Sequence, residues 1–474
     1  MNSKKEEIMK LRGISLLVIC VVLLSGMTVL NAQNKSDKPR VIAMTDGEID
    51  DHSSMVRFLV YTCDVDVEAI IQTNSIFQRK GHSKAGWYEK QLDAYEKIYP
   101  NLIKHNSGYP TPQRLREISF VGDEEENHLK GLWWKNKFEL LIPGAEVVYK
   151  PDLWADTPGS DKIVEVLLKD DPAPVYIQAW GGGNTAARAF YKLKQQYPDQ
   201  YEEAISKVVM YNIWYQDGAG PYIEHYHPKV TMIYSAFFKG SWDYNSLPET
   251  KSFVDKYVHN NHGPLGALYP QAYISEGDTP AFLYSLPNGL RSHENPTYGG
   301  WGGRFETLVP QRDVRLPGSR ILTTFRKAPN TFIDADENGD KWLSYRRWID
   351  DANADFRARL AWSVKSYDEA NHHPIISSNI PSKITAKPGE ESILEAEATD
   401  PDGDKISYTW WHYHFAGDNP YHKEIAIDNK DSKKATIMIP KDALGKDLHI
   451  ILEVKDNGIP ALKAYHRLIV TLVK

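Results

Sequence analysis

The run Val41-Ile42-Ala43-Met44-Thr45 leads straight into Asp46-Gly47-Glu48-Ile49-Asp50-Asp51. An apolar strand that ends in Gly and clustered acids, just before the helix-like Met55-Val56-Arg57-Phe58-Leu59-Val60, sets Asp46, Asp50 and Asp51 at the carboxyl edge of a sheet. Open α/β sheets bind their ligands at that edge. Carboxylates a few ångströms apart raise one another's pKa unless a cation neutralises them, so the pattern predicts a hard divalent cation. Calcium suits it, because it takes six to eight oxygen ligands in a flexible shell. A carboxylate left free beside the cation could activate a bound water. The competing reading is that these acids cap a helix, the commoner use of an Asp before a helix start.

Asn74 ends the strand-like Ile70-Ile71-Gln72-Thr73, and Asn184 follows the Gly-rich Trp180-Gly181-Gly182-Gly183. Their amides either bind hydroxyls or satisfy loop backbone. Trp180 and Trp301 stand next to glycines, which let a ring project without crowding. Each ring is either a platform for the apolar face of a sugar or a plug that holds its loop on the core. Asp334-Ala335-Asp336-Glu337-Asn338-Gly339-Asp340 matches the start of an EF-hand loop, but position twelve is Tyr345 rather than the bidentate Glu. That leaves a partial calcium loop or an Asx-rich turn.

The elements that must carry these residues alternate. From Arg40 to about Leu290, strands such as Lys207-Val208-Val209-Met210-Tyr211 and Lys229-Val230-Thr231-Met232-Ile233-Tyr234 alternate with helices such as Ile163-Val164-Glu165-Val166-Leu167-Leu168, which begins at Pro158-Gly159-Ser160-Asp161. Such alternation predicts an α/β fold, a mostly parallel open sheet with helices on both faces. Leu290 to Thr331 lacks a period and reads as a long ordered loop over the sheet edge, and Arg347 to Ser366 returns to helix. After His373 short β-rich runs recur at 392–396, 406–411, 434–439, 448–454 and 467–472, the pattern of an all-β antiparallel sandwich.

The 474 residues suggest two or three domains, and a net charge of -7 gives no reason to expect nucleic acid as a partner. Lys4, Lys5, Lys10 and Arg12 precede an apolar run from Gly13 to Leu30, which reads as a signal peptide over 1–32, cleaved near Ala32. The expected product is secreted or periplasmic, without stable membrane insertion, and homo-oligomerisation stays open. Export leaves Cys63 as the single cysteine of the mature chain, so no internal disulfide can brace it.

The acidic loop resembles that of the nucleoside hydrolases, whose calcium loop reads D-x-D-x-x-x-D-D. Asp46, Asp50 and Asp51 match the last three acids, and Met44 stands where the first should be. Three further segments extend the resemblance: Asn74 at its strand end, the Gly-rich turn before Asn184, and Glu276-Gly277-Asp278-Thr279-Pro280, similar to the family's His-Asp-Pro segment with Gly277 in the His place. The resemblance implies that Asp46 touches both cation and water as general base. It makes Asp50 and Asp51 a ligand and a substrate-hydroxyl contact, places a backbone carbonyl near Asn184 in the calcium shell, and gives Asp278 the last carboxylate. Asn74 takes the substrate-hydroxyl position. Without the His, the leaving-group acid falls to Asp217, in Tyr215-Gln216-Asp217-Gly218, or to His293, Glu294 or Arg304, with Glu294 and Arg304 otherwise substrate contacts.

Pro287-Asn288-Gly289-Leu290, Tyr298-Gly299-Gly300-Trp301-Gly302-Gly303-Arg304 and Asp400-Pro401-Asp402-Gly403-Asp404 make the chain most similar to a secreted nucleoside-hydrolase-like family that ends in an immunoglobulin-like domain and is often labelled cellulose-binding. That resemblance implies a nucleoside-hydrolase-like domain over 38–372 and an immunoglobulin-like sandwich over 374–474. The implied function is calcium-dependent hydrolysis of glycosidic bonds in a carbohydrate. A polysaccharide-binding protein without turnover and a nucleoside N-ribohydrolase are the alternatives.

Overall fold

Arg40–Thr45 (β1) is buried along its whole length, as a central strand covered on both faces must be. In this computed structural model it pairs in parallel with Asp66–Gln72 (β2) on one side and Val175–Ala179 (β4) on the other. Ser119–Val121 (β3) extends the sheet beyond β2. Val208–Ile213 (β5), Thr231–Ser235 (β6) and Thr331–Asp334 (β8) continue it beyond β4, all parallel. Phe305–Thr307 (β7) closes the edge antiparallel to β8, giving the order β3-β2-β1-β4-β5-β6-β8-β7. The residues described are 38–130, 133–136, 139–141, 150–242, 248–270, 275–307, 318–319 and 330–474. The expected signal peptide, 1–32, lies outside them.

β7 falls inside the stretch expected to be loop throughout. A three-residue edge strand is too short to show a period, so only its pairing with β8 reveals it. Helices flank the sheet as expected. Ile49–Leu59 (α1) follows β1 and Trp87–His105 (α2) follows β2. Pro158–Leu167 (α3) starts with Thr157, whose hydroxyl accepts from Ser160 N in a capping box. Asn184–Gln196 (α4) follows β4, Ala219–Tyr226 (α5) follows β5, and Thr279–Tyr284 (α6) and Ile349–Trp362 (α7) complete the helices used below. Among the described residues no helix is long and apolar enough to cross a membrane.

The carboxyl-terminal region is an immunoglobulin-like sandwich. Its strands are Lys383–Ala386 (β9), Glu391–Glu395 (β10), Ser407–His412 (β11), Ile427–Asp428 (β12), Lys434–Met438 (β13), Asp447–Lys455 (β14) and Lys463–Leu472 (β15). One sheet runs β9-β15-β14-β11 and the other β10-β13-β12. β14 shows why this region does not stand apart. Ile450, Leu452 and Val454 point into the sandwich core, while Ile451, on the opposite face, belongs to the core of the α/β region. Trp348 and Trp301 also pack edge-on against Tyr465, with centroids 5.8 and 6.2 Å away, so Pro39 to Lys474 forms one compact unit.

Candidate functional site

β1 ends at Thr45, and its hydroxyl donates to Asp51 Oδ1 on α1, folding the acidic turn back on the strand. The Asp46 amide donates to the same oxygen at 3.2 Å, and Asp46 Oδ1 accepts from the Glu48 amide at 3.1 Å. Asp50 and Asp51 lie in the first turn of α1, where the helix dipole favours negative charge. Asp278 arrives from the start of α6, far along the chain. One oxygen from each of Asp50, Asp51 and Asp278 lies within 4.8 Å of the others. Calcium–oxygen bonds of about 2.3–2.6 Å place opposite ligands roughly 4.6–5.2 Å apart, so one ion could span this set.

Electrostatics point the same way. Burial pushes the Asp278 carboxyl well above the usual range, and Asp51, Asp50, Asp46 and Glu48 push it further. Asp51 is raised likewise, by burial and then by Asp46 and Asp50. Burial also raises Asp46, partly offset by polar groups of Ser75, Asp51 and the Glu48 amide. Asp46 Oδ2 and Asp278 Oδ2 are buried without a hydrogen-bond partner among the described residues. Acceptor-only oxygens left bare in a buried acidic cluster fit a cation site, because a dication satisfies them and removes the repulsion.

Two segments hold the acids in register. Arg57, on the buried side of α1, grips Glu276 with Nε 2.5 Å from Oε2 and Nη2 2.9 Å from Oε1. Glu276 stands two residues before Asp278, so this fork ties the helix bearing Asp50 and Asp51 to the segment bearing Asp278. Glycines give the room. A Cβ on Gly181 would sit 2.6 Å from Asp46 Oδ2, and one on Gly277 would sit 2.5 Å from Asp50 Oδ2. Asp50 therefore crowds the place where a His at 277 would start.

The remaining expected residues divide. Asn74 and Asn184 meet, Asn184 Nδ2 donating to Asn74 Oδ1 at 3.5 Å, while Asn74 Nδ2 donates to Arg79 O at 3.1 Å. The Gly-rich turn between them borders Asp46 through Gly181. Asp217 is buried with Oδ2 accepting from the Asn184 amide at 2.9 Å and Oδ1 from Ala219 N at 2.8 Å. Burial pushes it up to about 7, but its bonds make it an anchor for two loop ends. Trp180 is fully buried between Phe58 and Phe282, with Nε1 on Gln178, and has no face open to a sugar.

Glu294, Trp301 and Arg304 engage the sandwich region or its border instead of the acids. Arg304 Nε donates to Glu337 at 2.8 Å, Trp301 packs on Tyr465, and Glu294 holds Arg291, which reaches Ser382 O. The EF-hand-like segment is an Asx-rich turn. Asp334 accepts from Tyr345 OH and from Ala236 N at 2.7 Å, and Asp340 Oδ1 accepts from Trp342 N at 2.8 Å. The Tyr at position twelve thus satisfies the would-be first ligand.

Sequence reasoning missed Glu48, whose half-buried carboxyl joins the cluster and is pushed up to about 9 by burial, then by Asp46 and Asp50. It sat inside the motif but matched no family acid. Arg57 was also missed, though a lone charge within Met55-Val56-Arg57-Phe58-Leu59 is the mark of a buried, paired group.

Residues 40–305 match the family model described as "Cellulose-binding Sde182, nucleoside hydrolase-like domain", and residues 392–472 match "Cellulose-binding protein Sde0182, C-terminal domain". A solved structure described as a nucleoside hydrolase-related hypothetical protein from Saccharophagus degradans, associated with carbohydrate metabolism, is 33% identical. That match covers 92% of this chain and 100% of the other, with a TM-score of 0.76. A PKD domain from KIAA 1837 protein is 20% identical over 20% of this chain and 85% of its own, at a TM-score of 0.15. Mouse clustered PcdhgC3 EC1-3 is 15% identical over 23% of this chain and 36% of its own, also at 0.15. No curated protein matches the chain.

Proposed function

Because the chain belongs to the cellulose-binding, nucleoside-hydrolase-like family, we propose that it is an exported, calcium-binding hydrolase of glycosidic bonds in a carbohydrate. The observation that carries this reading is the convergence of Asp50, Asp51 and Asp278 at the carboxyl edge of the sheet, with buried bare oxygens on Asp278 and Asp46. Asp50, Asp51 and Asp278 would hold the cation, which supplies Lewis acidity toward water and sugar hydroxyls. Asp46 is the base: its Oδ1 is fixed by the Glu48 amide, and Oδ2 is left to accept a proton. Asp50, less buried than Asp51, also faces the substrate hydroxyls. The relative associated with carbohydrate metabolism favours a sugar polymer over a nucleoside, and the crowding at Gly277 leaves no side chain there to serve a leaving base.

A second reading, a carbohydrate-binding protein without turnover, is favoured by Asp217, whose two oxygens are taken up by backbone amides. One experiment separates the readings. Oligosaccharides, aryl glycosides, inosine and uridine are incubated with the wild type and with Asp46→Asn, which keeps shape but cannot take a proton. Sugar release by the wild type should fall roughly 10²- to 10⁴-fold in the variant. Near-wild-type release with metal retained would remove Asp46 as base, fast ribose release would restore the nucleosidase, and binding without release in the wild type would favour the binder.

A further inference from the structure

Aromatic rings continue outward from the acidic centre along the ends of β5 and β6. Phe238 borders Gly277 as Asp50 does: a Cβ on Gly277 would be 2.5 Å from Asp50 Oδ2 and 3.3 Å from Phe238 Cε2. Trp214 packs edge-on against Phe238, centroids 5.1 Å apart, and Phe77 lies 6.4 Å from Trp214. Beyond them Phe237 meets Trp342 at 4.8 Å, and Trp342 Nε1 donates to Lys239 O at 2.8 Å, tying this second pair to the first. Phe77 is 37% exposed and Trp342 39%, so each presents part of its ring to solvent. Loop contacts fix the arrangement, Ile76 N bonding Gln216 O at 3.0 Å and Trp214 N bonding Ser235 O at 2.9 Å.

Trp214 adds a second kind of observation. Its φ is +57°, a left-handed conformation that bulky residues rarely adopt. Strain of this kind is kept where surrounding structure over-determines it, often at ligand sites. Here it turns the chain directly after β5, between the strand and the segment that anchors Asp217. Lys239 Nζ lies 5.6 Å from the Trp214 ring centre and Lys341 Nζ 5.3 Å from that of Phe237, setting hydrogen-bond donors beside the rings. Apolar faces flanked by donors suit a ligand with alternating apolar and hydroxyl surfaces, whereas a nucleoside would occupy the acidic centre and leave the outer rings unused.

We propose that Phe77, Trp214 and Trp342 form a ledge on which successive sugar units of a glycan chain lie as the chain leaves the acidic centre. The inference rests on the carbohydrate reading above and adds to it a ligand longer than one unit and a set of residues that bind it. The probe is a series of cello-oligosaccharides, disaccharide to hexasaccharide, titrated by calorimetry into the full chain with calcium present. Affinity should climb with length. Trp342→Ala and Phe77→Ala should each remove about tenfold from hexasaccharide affinity and leave the disaccharide unchanged. Both side chains are partly exposed, and an unchanged melting temperature will show that the fold is kept. Equal affinity at all lengths, or an undiminished climb in both variants, overturns the ledge while disaccharide binding keeps the carbohydrate reading. If no member binds the wild type at any length, the carbohydrate reading falls and the ledge with it.

Discussion

Glu48, Asp51 and Asp278 are raised because burial and mutual repulsion favour their protonated forms. The consequence for stability has a definite sign. Glu48 moves from 4.5 to about 9 on folding, so between those values the cation-free native state holds a proton that the unfolded chain has released. Raising the pH across that window removes stability steadily, and the loss levels off above the native-state value. A dication at Asp50, Asp51 and Asp278 pulls the same carboxyls down and cancels the trend. The melting temperature of chelated protein should therefore fall as the pH rises from about 5 to about 9, and the fall should be much smaller in calcium. Calcium at a hundredfold excess over its Kd should add about 2.7 kcal/mol. Asp278→Asn should erase that increment. Equal melting temperatures with chelator and with calcium near pH 8 would sink the cation.

At the scale of elements, the acids meet because α1 and the start of α6 are clamped together. Arg57 and Glu276 are both buried, and Glu276 also accepts from Tyr269 OH at 2.9 Å and Thr279 Oγ1 at 2.8 Å. Removing one partner of such a pair strands the other charge, at a cost of roughly 3–5 kcal/mol. Arg57→Met should lower stability by about that amount in denaturant titrations and weaken calcium binding, since Asp278 loses its fixed position. Arg57→Lys should keep part of the stability but not the fork geometry, so its calcium affinity should stay low. Wild-type affinity in Arg57→Lys would show that the clamp does not position the site. This pair also marks what the sequence could convey. The meeting of Asp50 and Asp51 with Asp278 was legible because the strand-to-turn motif and the Glu276–Pro280 segment each match a family pattern. The clamp pairs residues that no local pattern links, and Trp180 and Trp301 stay open between platform and plug in the sequence because ring type and flanking glycines do not tell which way a ring turns. The exposed rings, Phe77 and Trp342, lie in segments with no glycine signal, and the approach of Trp214 to Phe238 depends on the pairing of β5 with β6.

Over the whole molecule, the sandwich was legible as strands but not as a covering. Its runs of alternating residues announce β11, β13, β14 and β15, whereas the outward Ile451 of β14 has meaning only once the α/β region supplies a core that includes Trp348, which packs on Trp411, Tyr413 and Tyr465. Glu337 stands at that junction. It accepts from Arg304 Nε at 2.8 Å, from Arg347 Nη2 at 2.6 Å and from Tyr413 OH, on the sandwich side, at 2.7 Å. Burial pushes its carboxyl up, but the Arg304 and Arg347 guanidiniums outweigh burial and hold it below the usual range. A depressed native pKa stabilises the fold above the unfolded value near 4.5, and that contribution is lost as the pH falls through the native value. Glu337→Gln keeps the shape and an acceptor but leaves two guanidiniums facing a neutral amide, which should cost roughly 3–5 kcal/mol at neutral pH. The variant should also lose less stability than the wild type on acidification below about pH 4.5, because the group that titrates there is gone. Denaturant titrations at neutral and acid pH read both effects. Parallel loss of stability in the two proteins would show that Glu337 does not couple the sandwich to the α/β region through charge, and would leave the junction to the shared apolar core and to contacts such as those of Asp351 with Lys463 and Tyr465.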